Sequence, residues 1–115
     1  LVQHALPALL TAYHQGKITL EKIVQQACHN PALLFDVKDR GYIREGYYAD
    51  LVVLDLDKEF EVTKKDVLYQ CGWSPFEGTQ FNGYVEATLL NGQWAYSKGQ
   101  VHPQSAAMEL TFDRE

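Results

Sequence analysis

The apolar residues near the start of the chain recur with a helical period. They stand three and four residues apart, which places them on one face of a helix: Val2, Ala5, Leu6, Leu9, Leu10 and Tyr13. Proline is tolerated in a helix only in the first turn, so Pro7 predicts a helix that begins near residues 4–6. Gly16 is the predicted end of this helix.

Two shorter helices are predicted to follow. Thr19 can cap the first of them, and its apolar stripe consists of Leu20, Ile23, Val24 and Ala27. The pair Asn30-Pro31 is typical of a helix boundary, because asparagine caps and proline suits the first helical position. We therefore expect the second helix to end there and a third to cover residues 31–35.

After Asp36 the apolar period changes from 3.6 to 2. Short β-branched or aromatic runs, separated by glycines, predict strands at residues 42–44, 51–54, 84–90 and 93–97. Asn91-Gly92 predicts a two-residue hairpin turn, since both residues of a type I′ turn need a positive φ. The tail from Pro103 onward is predicted to be irregular apart from a candidate edge strand at residues 108–112. The pattern predicts an α+β chain.

Composition and charge exclude several classes of partner. Hydrophobic residues make up 46% and charged residues 22% of the 115 residues, which is typical of a globular domain. The net charge is −5 and the longest basic cluster is Lys64-Lys65, so no nucleic-acid partner is expected. No apolar run approaches the roughly 20 residues of a membrane span, and no signal peptide is evident. We expect a cytoplasmic protein without a membrane partner. Because the sequence opens at Leu1 directly in a helical pattern, we expect a piece of a longer chain.

The residues that most often carry chemistry do not form a known motif. Cys28 and Cys71 lack metal-binding spacing and are predicted to be reduced thiols, with Cys28 in the core. Each of the four histidines (His4, His14, His29 and His102) is predicted to be exposed or to cap a helix. His29 is placed at a helix end, where it would bind the last carbonyls. No HExxH, GxSxG or phosphate-binding glycine motif occurs. We therefore predict no catalytic, cofactor-binding or metal-binding residue in this chain.

A first resemblance lies in the middle of the chain. Residues 30–35 and the stretch GYIREGYYADLVVLD, residues 41–55, resemble the C-terminal signature of the amidohydrolase superfamily. Gly41 and Gly46 permit tight turns, and Ala49-Asp50 leads into an apolar strand predicted to be buried on both faces. The resemblance implies a small β-sandwich built from both chain termini. A simple hairpin with glycine turns is the alternative interpretation.

A second resemblance narrows the family. Residues 71–78, CGWSPFEG, resemble the Ser-Pro-Phe-x-Gly element near the end of dihydroorotases, of which allantoinases and hydantoinases carry looser relatives. Ser74-Pro75 requires an extended backbone and Gly78 allows a reversal, so a rigid loop is predicted. Trp73 and Phe76 are its predicted packing anchors. Glu77 is interpreted as a solvated charge or a backbone acceptor, in preference to a catalytic group.

A third resemblance concerns the start of the chain. Residues 2–7 are similar to the segment that follows the last barrel strand in dihydroorotases, and the likeness extends over residues 1–101. It implies that residues 1–37 are the terminal helices of a (β/α)8 metal-dependent hydrolase barrel and that residues 38–115 are the C-terminal β-sandwich segment. The metal ligands of that family lie upstream and have no counterpart here.

The function implied by the resemblance belongs to the parent enzyme. A dihydroorotase interconverts dihydroorotate and N-carbamoyl-aspartate in pyrimidine biosynthesis. Its binuclear Zn²⁺ site generates a hydroxide that attacks the amide carbonyl of this small substrate. The 115-residue piece is expected to bind no zinc and to be inactive. Two alternatives stay open: a fragment of an allantoinase or hydantoinase, and a non-catalytic amidohydrolase-like assembly module.

The first helix carries an expectation of its own about partners. Its stripe of Leu6, Leu9, Leu10 and Tyr13 lacks barrel strands to cover it within this sequence. We expect the stripe to stay partly exposed, to pack on the missing N-terminal barrel, or to be covered by self-association.

Overall fold

The computed structural model describes residues 2–68, 70–103 and 108–113. A 3-10 turn, Val2–His4, leads into helix α1, Ala5–His14, and helix α2, Leu20–Val24, is joined to helix α3, Asn30–Leu34, by a π-helical turn, Gln25–His29. The strands are β1, Leu51–Glu61, β2, Gln80–Leu90, β3, Gln93–Ser97, and β4, Gln100–Val101, and a 3-10 turn, Lys64–Asp66, follows β1. The four strands form one sheet in the order β1-β2-β3-β4. Helices followed by antiparallel strands confirm the α+β class, whereas the barrel and sandwich assignments stay predictions.

Contacts divide the chain into two units, each with its own small core. The first combines residues 1–19 and 54–85, and its buried apolar residues are Leu10, Val62 and Phe81. The second combines residues 20–53 and 86–115, and buries Ile23, Ala32 and Ala87. The division at residues 37 and 38 that the resemblance implies stays a prediction.

Helix α1 forms where the apolar period places it. Gly16, at φ +74°, lies just past its end, and its amide donates to the Tyr13 carbonyl at 3.0 Å. The expectation that the whole stripe stays partly exposed is wrong for Leu10, which is fully buried against Gly83 on β2. Gly83 has no side chain, so the helix and the strand approach closely enough to enclose the leucine.

The third helix, predicted over residues 31–35, is confirmed as α3, but the predicted end of the preceding helix at Asn30-Pro31 is wrong. The backbone stays helical there, with Asn30 at φ −61° and ψ −43°, and the Asn30 amide donates to the Gln25 carbonyl five residues back. This wider π turn lies directly before Pro31, which cannot donate to the preceding turn and needs space for its ring. The chain therefore passes the proline without leaving the helical conformation.

The strand predictions near the middle of the chain need two corrections. Residues 42–44 form no strand: Tyr42 stacks on His29, Arg44 lies over the Tyr42 ring, and Gly41 and Gly46 turn the backbone on either side at positive φ. Strand β1 continues seven residues beyond the predicted 51–54. The prediction that it is buried on both faces is wrong in this chain, since Val52 and Val53 are 48% and 46% exposed.

The hairpin at Asn91-Gly92 is confirmed. The two residues have φ +50° and +79°, and Leu90 pairs with Gln93 across the turn. The pairing register shifts between Thr88 and Leu89, whose partners are Tyr96 and Trp94, so that Ala95 on β3 is left out of the ladder. A second turn at Lys98-Gly99, also with two positive φ angles, adds β4, which the apolar pattern did not indicate.

The tail contributes a single bridge rather than the candidate edge strand. Phe112 pairs with Val37 in antiparallel fashion, and the Lys38 amide donates to the Thr111 carbonyl at 2.8 Å. Residues 104–107, 114 and 115 lie outside the described part of the chain. No helix within the described part is long and apolar enough to cross a bilayer.

The contact of Gly83 with Leu10 can be tested by substitution. A methyl group on Gly83 would lie 2.6 Å from the Leu10 Cβ, at a backbone φ of +114°. Gly83→Ala is expected to lower the free energy of unfolding by about 2–4 kcal/mol, from overpacking and backbone strain together. Gly16→Ala is the matched control: nothing lies within 4 Å of its added carbon, so about 1 kcal/mol of strain is expected. Urea denaturation followed by circular dichroism measures both, and equal losses would contradict the packing argument.

Candidate functional site

Three polar residues are buried in the described part of the chain: His4 at 3% exposure, Ser74 at 4% and Arg40 at 9%. Buried polar groups are costly unless they are hydrogen-bonded, so they mark positions where the fold depends on a specific partner. His4 and Ser74 belong to the first unit and Arg40 to the second. Two polar clusters are built around them.

The first cluster joins the start of the chain to the loop at residues 71–78. The Ser74 hydroxyl lies 3.2 Å from His4 Nδ1, and the Phe76 amide donates to the same hydroxyl at 3.2 Å. The His4 ring packs edge-on to Phe76 and lies 6.0 Å from the centre of the Phe81 ring. The prediction that His4 is exposed or a cap is therefore wrong, because the loop and β2 enclose it.

Burial also sets the protonation state of His4. Desolvation lowers its pKa below the ordinary value of 6.5, since the charged imidazolium would lose more hydration than the neutral ring. The negative charge of Asp66 opposes this shift without reversing it. A neutral ring leaves one nitrogen as an acceptor, so Ser74 can donate to Nδ1 while it accepts from the Phe76 amide.

Gln3 makes a second link in the same unit, and sequence reasoning missed it. Its amide nitrogen donates to the Asp66 carbonyl, and its amide oxygen accepts from the Leu68 amide at 2.8 Å. Asp66 itself ends a capping box, where its carboxylate accepts from the Thr63 hydroxyl at 2.7 Å and the Thr63 amide at 3.0 Å. These two bonds lower the pKa of Asp66. The pattern Thr-x-x-Asp at residues 63–66 is the signal that would have indicated this cap.

The predictions for the loop at residues 71–78 had mixed outcomes. Phe76 is a packing anchor as predicted, in contact with Phe81 at 5.4 Å between ring centres. Trp73 is not, because it is 59% exposed. Gly78 makes the predicted reversal at φ +83°, and its amide donates to the Val62 carbonyl at 2.8 Å. Glu77 is exposed.

The second cluster joins the loop before β1 to the hairpin turn. The Arg40 guanidinium pairs with the Asp50 carboxylate, and the backbone amide of Asn91 donates to the same carboxylate at 2.8 Å. The Arg40 guanidinium also lies 4.3 Å from the centre of the Tyr48 ring. The Asp50 carboxylate therefore connects the loop before β1 to the hairpin turn, forty-one residues away, which gives Asp50 a structural role within residues 41–55.

The other histidines and the cysteines are dispersed. His14 is exposed and contacts the Leu56 carbonyl, and His102 lies 2.7 Å from the Ser97 hydroxyl. The predicted role of His29 in binding the last helix carbonyls is wrong, because it lies inside the helical run and its ring stacks on Tyr42 at 4.1 Å. Both thiols are free, and the placement of Cys28 in the core is wrong because it is exposed.

The resemblance implies a zinc site in the parent enzyme, and the positions of these side chains show whether the described residues could form it. Within the described residues no three His, Cys, Asp or Glu side chains come together to bind a metal ion. His4 Nδ1 faces a hydroxyl in an aromatic enclosure, and Asp50 is already paired with a cation. The described residues therefore do not fit a zinc site, and both clusters connect segments of the fold.

The described chain thus consists of helices followed by an antiparallel sheet, with two polar clusters that connect its segments. The family model described as "Amidohydrolase family" matches residues 2–95. This chain therefore belongs to the amidohydrolase family.

Named relatives with similar sequences include two kinds of enzyme. An allantoinase of Desulfitobacterium hafniense is 38% identical over 109 residues, which is 94% of this chain and 24% of the relative. A dihydroorotase of Pyrococcus horikoshii is 38% identical over 85 residues, covering 74% of this chain and 20% of the relative. The chain thus spans between a fifth and a quarter of the length of these relatives.

Solved structures share the fold. An L-hydantoinase (dihydropyrimidinase) from Arthrobacter aurescens matches with a TM-score of 0.78 and 33% identity, covering 86% of this chain and 22% of that one. The inactive dihydroorotase-like domain of a CAD-like multifunctional protein from Chaetomium thermophilum matches with a TM-score of 0.70 and 29% identity, covering 90% and 27%. The described fold is thus a recurrent part of larger amidohydrolase folds.

The buried neutral His4 predicts a specific loss of stability in acid. Unfolded His4 takes up a proton near pH 6.5, whereas the folded residue resists it until a lower pH. The free energy of unfolding should be unaffected by His4 above that pH and should fall as the pH drops below it. His4→Gln should remove this part of the fall, and His14→Gln, an exposed control, should retain it. Urea denaturation at a series of pH values measures the difference, and superimposable profiles for the wild type and His4→Gln would refute it.

The Asp50 carboxylate should matter more than an exposed one. Asp50→Asn is expected to cost about 1–3 kcal/mol, less than a fully buried pair because 31% of the Asp50 side chain is exposed. Asp57→Asn, at an exposed position on β1, should change stability by less than about 0.5 kcal/mol. Thermal melts of the two variants make the comparison. If both melt like the wild type, the carboxylate does not hold the loop before β1 to the hairpin turn.

Proposed function

We propose that this chain is the C-terminal part of a dihydroorotase-like amidohydrolase, which interconverts dihydroorotate and N-carbamoyl-aspartate in pyrimidine biosynthesis. The supporting observation is the contact between the two segments that resemble dihydroorotases. His4, from the opening segment, is buried on Ser74 and Phe76 of the Ser-Pro-Phe-x-Gly element. Both segments resemble the same family, and they also contact each other in the fold. A chance resemblance of either segment alone would not explain that contact.

The proposed role of the chain within this enzyme is structural. Both polar clusters connect loops, helices and strands, and the described part of the chain brings together no set of metal ligands. Zn²⁺ and the small-molecule substrate are therefore proposed to bind elsewhere in the complete enzyme, in the cytoplasm. The 115 residues by themselves are proposed to be inactive.

A related cyclic amide is the second candidate substrate. The D. hafniense allantoinase is as similar in sequence as the dihydroorotase and aligns over more of this chain, and the L-hydantoinase matches its fold. Within the described residues no set of metal ligands comes together, so we propose that the substrate depends on side chains outside this chain. Allantoinase or hydantoinase activity is thus the alternative for the same architecture.

A non-catalytic assembly module is the candidate from a different class. It is favoured by the likeness to the inactive dihydroorotase-like domain of the C. thermophilum protein. Such a module would retain the fold and both clusters while lacking metal ligands in the preceding polypeptide. Metal content of the complete protein separates this candidate from both enzymes.

The complete gene product should be purified with its metal and assayed on dihydroorotate, allantoin and hydantoin in parallel. We expect hydrolysis of dihydroorotate with the highest kcat/KM, bound zinc by elemental analysis, and no activity from the 115-residue chain under the same conditions. The L-hydantoinase or allantoinase alternative requires the corresponding substrate to be preferred. A folded complete protein without metal and without turnover of any of the three would refute the enzyme proposal and favour the module.

A further inference from the structure

Three large apolar side chains are exposed at the end of helix α3 and directly after it. Leu33 is 62% exposed, Leu34 75% and Phe35 54%, and all three are consecutive. With Gln26, Asn30 and Pro31 they line an open groove of about 430 Å³. Exposed patches of this kind mark interaction surfaces in folded proteins.

The directions of these side chains show what kind of body can cover them. Successive residues of a helix point about 100° apart. Ala32 takes the side that the unit itself covers, where it lies against Gly41. Leu33 and Leu34 leave that side of the helix, and Phe35 follows directly after the helix end. Large apolar side chains on a side that the unit itself leaves uncovered are typical of a contact with another surface.

The lining of the groove gives the chemistry of its occupant. Its floor is leucine, phenylalanine and proline, and its polar members are the uncharged amides of Gln26 and Asn30. An apolar floor with a polar, uncharged rim fits an apolar side-chain cluster with backbone groups at its edge. It offers nothing to a charged ligand.

Two observations separate the remaining polypeptide of the same enzyme from a second copy of this chain. Two copies would bring together chains of net charge −5 each, which repel one another. The aligned relatives contain three quarters or more of their length outside the part that this chain matches, which is a body large enough to enclose the helix.

We infer that Leu33, Leu34 and Phe35 are a core contact of the complete protein and are covered by the polypeptide that accompanies this segment. This inference rests on the proposed function in one respect: the complete protein must contain a polypeptide large enough to cover these side chains. It moves the principal interface from the α1 stripe, where the sequence placed it, to α3. The reason is that the unit containing α1 already buries Leu10, whereas the unit containing α3 leaves all three side chains exposed.

Thiol labelling of the complete protein tests this inference. A Leu34→Cys variant should react with a maleimide about tenfold or more slowly than a Glu45→Cys variant, because enclosed positions react only on local opening. Glu45 is the control, an exposed residue outside the groove whose charged side chain is of a type rarely buried. Peptide mass spectrometry assigns the label to each position, and the protection of the Leu34→Cys variant should not change on dilution.

Three outcomes are distinguishable. Equal labelling rates at both positions would overturn the inference, and so would protection that disappears as the protein dissociates in sedimentation experiments, since the cover would then be a second copy. Persistent protection supports it. Assaying dihydroorotate turnover on the same preparation separates the two proposals: protection in an inactive protein refutes the function alone, and rapid labelling in an active enzyme refutes the interface alone.

Discussion

The described part of this chain contains more apolar surface than it can cover, and most of its other properties follow from that constraint. Among the described residues, six hydrophobic side chains besides Pro7 are buried, three in each unit, whereas fourteen large ones are at least 42% exposed. Burial of apolar area is the dominant favourable term in folding, so an element that exposes its apolar face contributes little until another surface covers it. The helices and the sheet therefore have the character of a segment that completes a larger core.

The polar clusters offset part of this deficit. Ser74 and His4 fix the loop at residues 71–78 to the start of the chain, and the Arg40 and Asp50 pair fixes the approach to β1 to the hairpin turn. Each cluster joins segments that lie far apart in sequence. Each therefore helps to offset the entropy that is lost when the intervening chain is closed into a loop. The connections that the two clusters make explain both of them without a catalytic role.

Family membership and the absence of a described metal site are compatible when the length of the relatives is considered. Similar allantoinases and dihydroorotases contain the matched region as a fifth to a quarter of their chains. Function in such proteins resides in a particular set of side chains on the fold, and a segment can belong to the family without contributing one. The described residues explain part of the family architecture, and the zinc and substrate sites are proposed to lie in the rest of the enzyme.

The sequence by itself determined the features that depend on local chemistry. The 3.6-residue period placed α1, Gly16 marked its end, and Asn91-Gly92 specified a turn that requires two positive φ angles. Tertiary structure decided the rest, because neighbours override local preference. Pro31 is passed by a π turn, Tyr42 and Arg44 stack on other rings instead of forming a strand, and Trp73 and Cys28 are exposed although their residue types favour burial. The burial of His4 depends on Ser74, seventy residues away, and no local pattern contains that contact.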